Sequence, residues 1–177
     1  MSVDPYVITI TLDETRPPTV DQRYYHAKEV LCCGESFFCQ YGDDPNKFGA
    51  DRLTEKGMRL AGLMSALVGV RQFTIHNYHL GVLKGAAFDW SEVEHKIIAR
   101  LLFAIKQGEV FTGALRYAQA IPMEQRLMQW YVIGRQYSAL CAAAGIVAPE
   151  PTTPLRSIDL DTGDTQEAPT SEESDGP

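Results

Sequence analysis

The chain has 177 residues, 45% hydrophobic and 22% charged, a globular composition suited to one domain with a tail. Its net charge of −7 falls entirely within residues 150–177, where eight acids face the single base Arg156, so the preceding residues are formally neutral. A neutral body offers no electrostatic footprint for nucleic acid, and no stretch approaches the roughly 20 apolar residues of a membrane span.

No basic, apolar leader is visible at the N-terminus, so the expected location is the cytoplasm. In that setting Cys32, Cys33, Cys39 and Cys141 are expected as reduced thiols rather than a disulfide framework.

The first regular element is a half-buried strand over Val7–Leu12, alternating and β-branched, which Arg16-Pro17-Pro18 ends. A second strand is expected over Tyr24–Cys33, with Tyr25, Ala27, Glu29 and Leu31 on one face and Tyr24, His26, Lys28 and Val30 on the other. Gly34 interrupts it, Phe37-Phe38-Cys39 resumes it after a bulge, and Gly42-Asp43-Asp44-Pro45-Asn46 reads as a loop of turn formers.

From Asp51 the period becomes helical. Leu53, Leu60, Leu63, Met64 and Leu67 predict a helix over 51–68, with Asp51 or Thr54 as N-cap and Gly69 as its stop. Phe73 and Ile75, then Leu80 and Val82, flank His76-Asn77-Tyr78-His79 and read as a hairpin, because Asn77 tolerates the left-handed conformation of a tight turn. Ser91-Glu92-Val93-Glu94 has the capping-box pattern and opens a helix over 91–107, whose stripe is Val93, Ile97, Leu101 and Ile105; Gly108 ends it.

Thr112–Ala120 reads as one further short helix. Pro122 then opens a helix from 122 to 144 with an aromatic face of Leu127, Trp130, Tyr131, Tyr137 and Cys141. Residues 148–177 are Pro-, Ser- and acid-rich and too poor in apolar surface to offset ordering entropy, so this tail is expected to be disordered.

Val68-Gly69-Val70, the hairpin with Leu80-Gly81-Val82-Leu83-Lys84, and Asp89-Trp90-Ser91-Glu92-Val93 before the last helix form a recognisable order. Over residues 5–107 the chain resembles the N-terminal domain of Nfu/NifU-type iron–sulfur cluster scaffold proteins. It departs in two places. Arg16-Pro17-Pro18 replaces the family's Asn-Pro-Asn turn, and the Cys-x-x-Cys module that carries the cluster is absent. The resemblance implies a scaffold-associated fold and contact with an iron–sulfur scaffold or client protein.

Two groups of residues invite functional roles. Cys32, Cys33 and Cys39 are a candidate metal set, since thiolates favour iron, zinc and iron–sulfur clusters. Cys32 and Cys33 in one strand would point to opposite faces, so a shared site requires a break at Gly34; burial as small hydrophobes is the alternative. His76, Tyr78 and His79 at the hairpin tip, with Trp130, Tyr131 and Tyr137 on the last helix, are candidate partner contacts, against solvated-turn and core-packing alternatives. No nucleophile triad, phosphate loop or zinc-protease helix appears, so no catalytic residue is assigned.

These readings predict an α+β domain over 1–108, a three- or four-stranded, mostly antiparallel sheet in the order β-β-α-β-β-α with both helices on one face. An appended helical segment over 109–147 and an acidic tail over 148–177 follow it. The expected function is that of a non-catalytic binding protein linked by resemblance to cluster assembly, with no resident cofactor, no membrane or nucleic-acid partner, and a homodimer possible through the last helix. The alternatives are a metal or iron–sulfur cluster carrier using Cys32, Cys33 and Cys39, and a stand-alone protein-interaction module.

Overall fold

A computed structural model describes residues 6–12, 21–47, 49–109, 113–119, 121, 125, 130–147 and 156–159. The strands are β1 (Tyr6–Leu12), β2 (Gln22–His26), β3 (Phe37–Gln40), β4 (Val70–Ile75), β5 (His79–Lys84), β6 (Gly113–Tyr117) and β7 (Arg156–Asp159). The α-helices are α1 (Glu55–Ser65), α2 (Trp90–Lys106) and α3 (Trp130–Ala143). The class is α+β, as expected.

The sheet differs from the expected layout. It has seven strands in the order β3-β4-β5-β2-β1-β6-β7. The block from β3 to β1 is antiparallel throughout, which is the predicted meander enlarged by β3. Beyond β1 the pairing changes sense: β6 joins β1 in parallel and β7 joins β6 in parallel. Two expectations are corrected here. Gly113–Tyr117 is a strand, not part of a short helix, because α2 returns the chain beside the open edge of β1 and ladder hydrogen bonds override the helix preference of Ala114, Leu115 and Arg116. Arg156–Asp159, inside the stretch expected to be disordered, adds the outermost strand.

Local chemistry explains the helix starts. Thr54 caps α1, its Oγ1 accepting from the Gly57 amide at 3.2 Å, and Ala50–Arg52 forms a separate 3-10 turn where the helix was expected to begin. The capping box of α2 lies two residues earlier than the sequence pattern suggested. Asp89 is the N-cap and its amide donates to Glu92 at 2.9 Å. That displacement removes Glu94 from the cap and places it inside the protein. Gln107 in the left-handed conformation and Gly108 end the helix.

Burial alternates along the strands. Tyr6, Ile8, Ile10, Tyr25, Phe73, Ile75, Leu80, Val82, Leu115 and Tyr117 join α1 and α2 in one core, which Ile133, Tyr137 and Cys141 of α3 complete. The helices form one layer with α2 in the middle, packing on α1 and on α3. On the opposite side of the sheet Val7, Thr9, Thr11, Tyr24, His26, Thr74, His79 and Arg116 are half-buried and Phe38 is exposed. Among the described residues no helix covers that side, and none is long and apolar enough to cross a membrane.

Candidate functional site

Strand register builds a transverse row on the helix-free face. His26 of β2 stands opposite His79 of β5, and Thr9 of β1 stands opposite both His26 and Arg116 of β6. His76 joins at the end of β4, its amide donating to the His79 carbonyl at 2.8 Å. Same-face neighbours on adjacent strands lie within side-chain reach. Accordingly the His76 and His79 rings stack with centroids 4.2 Å apart, and His26 tilts against His79 at 5.0 Å. Tyr24 meets His79 edge-on at 5.7 Å, and Thr11 Oγ1 lies 2.9 Å from His26 Nε2. At the other end of the row, the Arg116 Nε is buried without a hydrogen-bond partner.

Three adjacent imidazoles on one surface carry an electrostatic constraint. Burial lowers the pKa of His79 to about 4, helped by repulsion from His76 and His26; burial also lowers His26 and His76. All three are therefore neutral near pH 7, offering π faces and single N–H donors rather than charge. Beside them the loop at Gly34 and Ser36 and the hairpin tip His76–His79 line an open depression of about 350 Å³. Tyr78 at its rim is 51% exposed and Phe38, on the edge strand β3, is 50% exposed. The expected contacts His76, Tyr78 and His79 thus share one surface, and His26 belongs with them. Its alternation in the sequence gave its face, but not its partner across the ladder.

A second cluster lies in the core. The Arg23 Nη1 donates to Glu94 at 2.6 Å with both side chains fully buried, and its guanidinium sits 4.5 Å over the Trp90 ring. Tyr25 donates to the other Glu94 oxygen at 2.8 Å, Tyr117 also bonds Glu94, and Gln125 accepts from Arg23 at 3.1 Å. Burial pushes the Glu94 carboxyl above its usual range, against the pull of Arg23 and the two tyrosine hydroxyls. This buried group pins the N-terminal part of α2 to β2 and β6. The sequence held one signal of it: Arg23 shares its strand parity with buried Tyr25.

The cysteines do not assemble. Cys32 is buried and donates to the Glu35 carbonyl at 3.1 Å, Cys39 is buried on the core side of β3, and Cys33 is exposed. Burial raises the thiol pKa of Cys32 and Cys39, which opposes thiolate ligation. Among the described residues no three His, Cys, Asp or Glu side chains are placed to hold a metal ion. Asp43 and Asp44 accept from Gln40 and Asn46 and are turn residues.

The aromatic face expected on the last helix divides. Tyr137 is a core residue, its hydroxyl accepting from the Gly108 amide at 2.8 Å and its ring edge-on to Phe103. Desolvation, the largest cause, pushes its pKa up to about 12. Tyr131 points outward, 62% exposed beneath the Arg135 guanidinium. The side chain of Trp130 lies outside the described residues. No protein-family model, no curated protein and no solved structure matches the chain.

Proposed function

We propose that this protein is a non-catalytic binding protein whose recognition surface is the helix-free face of the sheet. One observation carries the reading. The helices pack as a single layer, and the other side presents Phe38, Tyr24, Tyr78 and three uncharged imidazoles on backbone-paired strands. Rigid amphipathic groups of this kind supply contact area at low ordering cost. The Arg23–Glu94 group is a structural clamp in this reading, because both side chains are buried and bonded to each other.

The partner we favour is a protein, and the link to iron–sulfur scaffolds or their clients rests on the Nfu-type resemblance of residues 5–107. A cluster carrier using Cys32, Cys33 and Cys39 finds little support in two buried thiols and one exposed one. Two experiments test the reading. Protein isolated with its bound partner should lose that partner in a Phe38→Ala/Tyr78→Ala chain and keep it in Tyr131→Ala; the reverse pattern defeats the proposal. Anaerobic reconstitution with iron and sulfide should give no charge-transfer band; a band abolished in Cys33→Ser would establish the carrier instead.

A further inference from the structure

The sheet ends at β3 with one open backbone position. β3 is the outermost strand and pairs on one side only, with β4. Just past it, Tyr41 donates to the Arg71 carbonyl at 3.0 Å. Phe37 and Cys39 share the parity of Tyr41, so their peptide groups also turn towards β4. Those of Phe38 and Gln40 therefore turn away from the sheet. Gln40 is already satisfied within the chain: its amide donates to Asp43 Oδ2 and its carbonyl accepts from the Asp43 amide, both at 3.1 Å. Among the described residues no strand lies beyond β3 to take the amide and carbonyl of Phe38. Its ring stands half exposed on the helix-free side.

The sequence of this edge says what fits it. Edge strands are commonly guarded by charge, lysine above all, yet Ser36-Phe37-Phe38-Cys39-Gln40 contains no charged residue. A single open residue suits an antiparallel strand whose two-fold axis passes through it, because two such residues exchange both of their N–H···O=C bonds. On that axis Phe38 faces the copy's Phe38. Phe37 then meets Cys39 on the core side, and Ser36 meets Gln40 on the helix-free side. Each pair is apolar or uncharged, and aromatic pairs directly opposite are stabilising. The segment is complementary to itself.

We propose that two copies of this chain pair antiparallel through β3, about a two-fold axis at Phe38. The two sheets then continue into one another, while Asp43, by holding Gln40, confines the ladder to its centre. So short a contact makes a weak dimer whose population follows concentration. The axis also sets the two helix-free faces side by side; that consequence rests on the recognition-face reading above, and the pairing does not.

The test uses the full-length chain. In sedimentation, the mean mass of the native protein should climb with concentration towards twice the monomer value, and Phe38→Lys, which puts like charges on the axis, should stay monomeric. The register is read by cysteines placed in a Cys33→Ser background, which lacks the one exposed native thiol. Ser36→Cys and Gln40→Cys chains are oxidised with diamide, separately and mixed. Position 36 lies opposite position 40 of the copy, and each is displaced by about 13 Å from its own counterpart. The mixture should form covalent dimer about tenfold faster than either chain alone, since a disulfide tolerates Cα separations only up to about 7 Å. Phe38→Lys in both chains should erase that preference.

A native chain that is monomeric at every concentration, or a mixture that cross-links no faster than its components, would overturn the proposal. So would a dimer that survives Phe38→Lys. Partner retention is read separately. Pairing present, with the partner kept by Phe38→Ala/Tyr78→Ala, removes the recognition reading alone; partner loss in that variant, with a monomeric native chain, removes the pairing alone.

Discussion

Arg23 and Glu94, far apart in sequence, meet at 2.6 Å with both side chains out of solvent. Burying two charges is costly, and the bonds from Tyr25 and Tyr117 to Glu94 and from Arg23 to Gln125 offset part of that cost, while the buried Arg23 Nε–H has no acceptor. Glu94→Ala leaves the Arg23 guanidinium uncompensated and should cost about 3–5 kcal/mol in chemical denaturation. The double change Arg23→Met/Glu94→Leu should recover a large part of that loss. A single variant as stable as the native chain would mean that the pair does not hold α2 to the sheet.

A different constraint fixes α1. A Cβ on Gly57 would sit 1.9 Å from the Leu31 carbonyl oxygen, so backbone rather than a movable side chain blocks it. Gly57→Ala would gain about 1 kcal/mol of helix propensity, yet the overpacking should leave the protein about 1–3 kcal/mol less stable. Gly62, with open space at its Cβ position, is the control, and Gly62→Ala should stabilise. Equal responses at the two positions would contradict the packing of α1 against the Leu31 segment.

The thiols should react unequally. Cys33 is exposed while Cys32, Cys39 and Cys141 are buried, so a native-state thiol titration should count one fast group, and denaturant should release the others. Cys33→Ser should abolish the fast phase. Fast labelling of Cys32 or Cys39 would show the Cys32–Cys39 region opening, and would revive the metal-carrier alternative.

Stability should fall on mild acidification. The folded-state pKa of His79 lies at about 4, below its ordinary 6.5, so the unfolded chain takes up the proton first. The contribution is complete above pH 6.5 and is lost as the pH falls towards 4. The lowered pKa values of His26 and His76 act in the same direction. Denaturation midpoints measured across this window should decline less steeply in His79→Phe. An identical slope in that variant would mean that the histidine row is not responsible.

Much of the first 108 residues was legible in the sequence, because its signals are local. The α2 stripe, the Thr54 cap and the two strands of the hairpin follow from spacing and capping chemistry that tertiary context did not override. The turn between those strands does not use the expected left-handed Asn77, since among the described residues Gln107 is the one non-glycine at positive φ. What escaped was set by partners distant in the chain. Gly113–Tyr117 contains good helix formers and becomes a strand only because β1 offers a free edge. Glu94 fits a capping pattern that Asp89 and Glu92 take instead, and only the fold reveals Arg23 as its counterpart. Likewise, His26 and His79 each had a face that could be read, but their meeting depends on the β2–β5 register. For Tyr137 the core-packing alternative is the one seen, and the sequence could not choose it because an aromatic stripe looks the same whether it covers a core or faces outward.

Recognition through the helix-free face is tested most directly by carbene footprinting of the protein, free and with its bound partner. Labelling of Phe38, Tyr24 and Tyr78 should fall in the complex, while Tyr131 on the helical layer keeps its reactivity. Protection confined to Tyr131 and the exposed side of the helices, with the sheet face labelled as in the free protein, would contradict the account.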